Sequence, residues 1–297
     1  MEPIASATPE DKPAEYILTL SCPDVPGIVH AVAAFLIEHD MNIRESQQSS
    51  DPEDGTFFMR VQFTSIQHRP PHDFPGIRQD FESVADAFGM TWRLTTTADK
   101  PRAVIMVSKM GHCLNDLLFR AATGRLAIDI RAIVANHPDL GYLADNYDIP
   151  FHHIPVTADS KPAAEARLID LITDQQIDLV ILARYMQILS ADLCKFLEGR
   201  AINIHHSMLP SFKGARPYHQ AHRRGVKLIG ATAHYVTSDL DEGPIIEQEV
   251  ARVDHSHTTA DVVALGQDNE CSALARAVRW HAENRVLLHG HSTVVFR

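Results

Sequence analysis

Four cysteines in 297 residues, Cys22, Cys113, Cys194 and Cys271, are too few and too scattered for a disulfide framework. No C-x-x-C pair occurs, which argues against a zinc ribbon. No apolar run reaches the ~20 residues that cross a membrane. Residues 1–14 hold Pro, Glu, Asp and Lys without an apolar centre. They read as a disordered start rather than a secretory signal, and a cytoplasmic location follows. Basic residues are in the minority, 27 Lys and Arg against 38 Asp and Glu, for a net charge of -11. That balance argues against a nucleic-acid groove or an anionic membrane surface as partner. There are no internal repeats and no low-complexity segment. Histidines are many, at 18 residues, enough for a pH-sensitive surface or a histidine-rich site.

The length favours two domains, and a hydrophobic share of 45% supports a sizeable core. Residues 1–98 read as alternating short elements. Tyr16 to Cys22 alternates as a strand, and Ile28 to His39 carries apolar residues at helical spacing. Two strands, 43–49 and 56–64, flank a turn at 51–55 that suits a hairpin. A helix over 74–88 and a strand over 91–97 complete a βαββαβ order, the ferredoxin-like unit. Residues 99–102 are the expected linker.

From 103 to 297 the rhythm changes. Short strands at 103–108, which is fully apolar, and at 128–135, 151–156, 177–183 and 201–205 alternate with helices. This predicts a doubly wound, mostly parallel sheet. Such sheets bind ligands at the carboxyl ends of their strands. Strands at 228–236 and 244–253, joined by the loop 237–243, predict an antiparallel edge. A long helix over 260–285 and a strand pair over 286–295 close the chain. The fold class is α/β in two domains.

Asn203 and His205 lie two apart on a strand and share a face. An amide there can donate to a developing oxyanion, and an imidazole can move a proton near neutral pH. Asp241, on the loop after the strand that carries His234, can orient that imidazole or activate water. His234 is a candidate supporting group. Taken alone, N-x-H on a strand and D-x-D-E-G in a turn are more often structural than catalytic, so spacing leaves their role open. The pairs His152-His153 and His255-x-His257 lack a third ligand at metal spacing, and no metal is expected.

The words NIHHSMLPSFKGARPYHQA (203–221) and GATAHYVTSDLDEGPIIE (230–247) resemble the formyltransferase-fold family. That family includes glycinamide ribonucleotide formyltransferase and methionyl-tRNA formyltransferase. The likeness covers roughly 102–285. SKMGHCLNDLL (108–118) and LARYMQILS (182–190) look most like its water-using branch. The resemblance implies hydrolysis of 10-formyltetrahydrofolate to formate and tetrahydrofolate. Formate would then serve purine synthesis and the reaction would balance the folate pools. No cofactor is implied beyond the folate substrate. The family's Asn, His and Asp fall on Asn203, His205 and Asp241. Tyr185, Met186, Gln187, Ile188, Leu189, Gly214 and Val236 are implied to hold the folate. Relatives that formylate a phosphorylated amine carry a Gly-rich, Ser/Asn-bearing loop where this chain has Lys109 to Leu114. One glycine remains there, which favours water as the acceptor. Transfer to an amine uses the same three residues and stays open, as does an inactive folate or amino-acid sensor.

The amino-terminal unit resembles an ACT domain, through CPDVPGIV (22–29) and Met41-Asn42-Ile43. The likeness implies a regulatory unit with a small amino-acid effector, held by Asp24, Pro26, Gly27, Asn42 and Ile43. It also implies edge-to-edge pairing into a homo-oligomer. A purely structural role is the other reading.

Overall fold

The computed structural model describes residues 15–66, 74–209 and 217–297; the start at 1–14 and Gly214 lie outside them. The chain separates into two compact units, one ending at Asp99 and the other beginning at Lys100. Among the described residues no helix is long and apolar enough to cross a membrane.

The first unit runs β1 (Glu15–Pro23), α1 (Ile28–Glu38), β2 (Met41–Ser50), β3 (Thr56–Ser65), α2 (Phe74–Phe88) and β4 (Thr91–Thr96). The strands form an antiparallel sheet in the order β2-β3-β1-β4. Period-two alternation sends Tyr16, Leu18, Leu20 and Cys22 of β1 into one core with Phe57, Met59, Val61 and Phe63 of β3. Ile28, Val32, Phe35 and Leu36 form the buried stripe of α1. Gly27 ends the β1–α1 turn with φ +103°, a left-handed conformation that glycine adopts without a Cβ penalty. Strand β2 is longer than its polar sequence predicts, because pairing with β3 carries it through a bulge between Ile43 and Glu45.

The second unit is built on β5 (Arg102–Val107), β6 (Asp129–Ala135), β7 (Phe151–His153), β8 (Leu179–Leu182), β9 (Ala201–His205), β10 (Leu228–Tyr235) and β11 (Ile245–Arg252). Their order is β11-β10-β9-β8-β5-β6-β7. Strands β5 to β9 are parallel, and β10 and β11 are antiparallel to their neighbours. Both faces are covered. Ala103, Ile105 and Val107 of β5 face the core shared with α3 (His112–Ala122) and α8 (Thr259–Ala282). Val104 and Met106 face the core of α5 (Lys161–Asp174) and α6 (Ala191–Phe196). Each fully buried Val, Ile or Met side chain contributes about 1.5–3 kcal/mol.

One departure from the sequence reading in this unit has a local cause. Strand β7 stops at His153 rather than 156, because Pro155 has no N–H for the ladder. Between β6 and β7 a 3₁₀ turn at Pro138–Leu140 leads into a short α4 (Gly141–Asp145). Helix α7 (Pro217–Arg223) spans seven residues, too few to display a period in the sequence. The chain leaves β5 toward β6 and β7 and returns to β8 on the other side. The crevice at the carboxyl ends of β5 and β8 is therefore the expected ligand position.

Candidate active site

Strand β9 buries Ile202 and Ile204 in the core beside α8, so Asn203 and His205 face the other way. Antiparallel pairing sets His234 of β10 opposite Asn203 and Thr232 opposite His205. His234 Nδ1 lies 2.9 Å from the Tyr235 carbonyl, a contact that makes Nδ1 a donor. Burial lowers the pKa of His234, outweighing the Tyr235 carbonyl and Asp241, which raise it. The neutral ring then accepts at Nε2 from Asn203 Nδ2, at 3.2 Å. This contact fixes the direction of the Asn203 amide and leaves its second N–H to donate elsewhere. Thr232 accepts from Leu209 N at 3.0 Å and donates to the Ser207 carbonyl at 2.9 Å, fixing the turn that follows His205.

The loop between β10 and β11 brings in Asp241, whose Oδ1 is 3.1 Å from His205 Nδ1 and 3.9 Å from His234 Nε2. Burial raises the Asp241 pKa, but the His205 hydrogen bond and the nearby imidazoles outweigh it and hold the carboxyl below its ordinary value. Asp241 has φ +57°, a left-handed conformation that Asp tolerates better than most residues. Gly243 is required for a different reason: a Cβ there would stand 1.8 Å from the Tyr235 carbonyl oxygen. With Nδ1 engaged, His205 keeps a buried Nε2 that has no hydrogen-bond partner among the described residues.

Residues 184–189, after β8, form the opposite wall of a cleft of about 320 Å³. The cleft is lined by Arg184 to Leu189, Asn203 to His206, His234 and Val236 to Asp241. Tyr185 is buried, while Met186 and Ile188 are exposed. Arg184 and Met186 adopt left-handed φ of +66° and +55°. Such strain in non-glycine residues persists where surroundings enforce it, commonly at functional sites. The enforcement is visible, because the Ser108 hydroxyl bonds to both the Tyr185 carbonyl and Asn136.

The cleft thus unites Asn203, His205, Asp241, His234, Tyr185, Met186, Gln187, Ile188, Leu189 and Val236. Asp24, Pro26, Gly27, Asn42 and Ile43 sit in the first unit, exposed at the β1–α1 turn and the start of β2.

Sequence reasoning missed a buried polar group behind the cleft. Glu270 of α8 is 1% exposed and accepts from His112 Nε2 at 2.7 Å and from the Tyr218 hydroxyl at 2.8 Å. The Arg184 guanidinium lies 3.5 Å away. Burial raises the Glu270 pKa, yet these partners outweigh it and hold the carboxyl below its ordinary value. The four residues come from four separate segments, so no sequence spacing links them. His112, Cys113 and Glu270 do place ligand-type atoms within 4.8 Å of one another. The guanidinium beside Glu270 and its two hydrogen bonds oppose a cation there. His206 was also missed, although it follows His205 directly.

The fold and the cleft together define a formyltransferase-type α/β domain carried with a second, ferredoxin-like unit. The formyl transferase family matches residues 101–278 and the ACT domain matches 16–71. Formyltetrahydrofolate deformylase from a Corynebacterium strain is 52% identical over 95% of this chain and 98% of its own length. A crystal structure of formyltetrahydrofolate deformylase from Burkholderia mallei superposes with a TM-score of 0.91 at 51% identity, over 96% of this chain and 100% of that one. Glycinamide ribonucleotide transformylase 1 from Symbiobacterium toebii reaches a TM-score of 0.63 at 28% identity, over 67% of this chain and 95% of its own. The chain belongs to the formyltetrahydrofolate deformylase family.

Proposed function

We propose that this chain hydrolyses 10-formyltetrahydrofolate to formate and tetrahydrofolate. The observation that carries this reading is the buried Nε2 of His205 beside Asn203, without a partner among the described residues, with Asp241 on its other nitrogen. The folate ring system lies along 184–189, where left-handed residues open backbone groups to the cleft. A water attacks the formyl carbon, and the oxyanion accepts from Asn203 Nδ2–H and from His205. Asp241 orients His205 through Nδ1 and orders the water. The carbon–nitrogen bond then breaks as the folate nitrogen takes a proton. No step calls for a cofactor beyond the folate.

Water is favoured over an amine acceptor by His112. It stands at the start of α3, where an anion would dock, and is tied to Glu270 instead. The reaction would return tetrahydrofolate to the one-carbon pool and supply formate for purine synthesis in the cytoplasm. The first unit would act as a regulatory module in a homo-oligomer. Asp24, Pro26, Gly27, Asn42 and Ile43 would take a small amino acid there. Purified protein given only its folate and buffer should release formate catalytically. Release that waits on an added amine would identify a transferase instead.

A further inference from the structure

His206 is the one imidazole of the cleft that the scheme above leaves idle. It follows His205 at the end of β9 and lines the cleft with Asn203, His205 and Asp241. Its ring centroid is 5.1 Å from that of His205, at a tilt of 55°. Tyr218 packs edge-on against its other side, at 6.4 Å and 77°. Among the described residues no group hydrogen-bonds to the ring.

The other two imidazoles of the cleft, and Asp241, are committed. His234 uses Nδ1 on the Tyr235 carbonyl and Nε2 on Asn203. His205 uses Nδ1 on Asp241, and its Nε2 is needed as a donor to the oxyanion. Asp241 is engaged by His205 Nδ1 at 3.1 Å and faces His234 Nε2 at 3.9 Å. His206 differs from all three. Burial, the Arg184 charge and His205 push its pKa down to about 4, while Glu270 and Asp241 pull the other way. The ring is therefore uncharged near neutral pH and keeps a lone pair.

We propose that His206 is a further catalytic residue, holding the attacking water and taking its proton. This inference rests on the hydrolytic reading above. As the water oxygen bonds to the formyl carbon, one of its protons moves to the His206 ring. The carbonyl π pair moves to the oxygen and is met by Asn203 and His205. On collapse the carbon–nitrogen pair goes to the folate nitrogen, which takes the proton back from His206. Formic acid leaves and loses its own proton to solvent. Two adjacent imidazoles thus divide the work: His205 donates to the oxyanion, and uncharged His206 accepts from water.

The test compares His206→Ala and His206→Asn with the wild type, using 10-formyltetrahydrofolate alone. Positioned acid–base groups contribute about 10²–10⁴-fold, so kcat should fall by that factor with KM unchanged. Free imidazole should restore part of the kcat of His206→Ala and leave the wild type unaffected, which a merely structural role would not produce. Undiminished kcat in either folded variant, a loss confined to KM, or absence of imidazole rescue in folded His206→Ala would overturn the proposal. Should His206→Ala fail to fold, His206→Asn retains a polar group of similar reach, and its kcat decides. Collapse of both variants would make the residue structural and also overturn it. A wild type that releases no formate would instead refute the hydrolytic reading itself.

Discussion

Asp241→Asn isolates one charge at the centre of the cleft. Asparagine shares the tolerance of aspartate for the left-handed backbone at φ +57°, so the loop keeps its shape. Alanine would add roughly 1–2 kcal/mol of backbone strain and blur the result. The substitution removes the carboxylate 3.1 Å from His205 Nδ1. A unit charge at about 4 Å contributes about 4 kcal/mol at the effective dielectric of a partly buried pair. At about 1.4 kcal/mol per tenfold, the expected loss in kcat is about 10³. KM should change little, because the wall at 184–189 is untouched. The assay is steady-state formate release by protein whose circular dichroism and Tm match the wild type. A folded Asp241→Asn protein within about tenfold of wild-type kcat would refute the reasoning, since the ion pair would then contribute less than about 1.4 kcal/mol.

Asn203→Ala should cost about 10²–10³ in kcat, as loss of a single oxyanion donor does, and kinetics on the folded variant check it. Gly243→Ala should lower Tm and activity together, since its Cβ would meet the Tyr235 carbonyl at 1.8 Å and overpacking costs about 1–3 kcal/mol. Glu270→Ala leaves His112 and Arg184 without their buried carboxylate and should destabilise by about 3–5 kcal/mol in denaturant unfolding. The same residue sets an acid limit. Its folded pKa is depressed, so its stabilisation is complete above the unfolded value of about 4.3 and is lost as pH falls through the lower folded value. The Tm of wild type should therefore drop more steeply below pH 4.3 than that of Glu270→Gln.

Periodicity made much of the fold legible. The alternation in β1, the helical stripe of α1 and the apolar runs of β5 and β8 are each set by local burial, and local burial is what a sequence displays. The shared face of Asn203 and His205 was readable for the same reason. Other features depend on contacts that spacing does not encode. The tautomer of His234 follows from the Tyr235 carbonyl, and the Asn203 amide direction follows from His234. The left-handed Arg184, Met186 and Asp241 carry no glycine to announce them. The Glu270 group joins four distant segments. The long words around 203–221 and 230–247 carried the folate chemistry, which residue spacing alone left open.

The central claim is that water receives the formyl group in the cleft of Asn203, His205 and Asp241. Turnover of 10-formyltetrahydrofolate in ¹⁸O-labelled water, without any amine, tests it most directly. Hydrolysis in the cleft gives formate carrying one labelled oxygen, formed at the rate at which tetrahydrofolate appears. Unlabelled formate, or no formate until an amine is supplied, would contradict it.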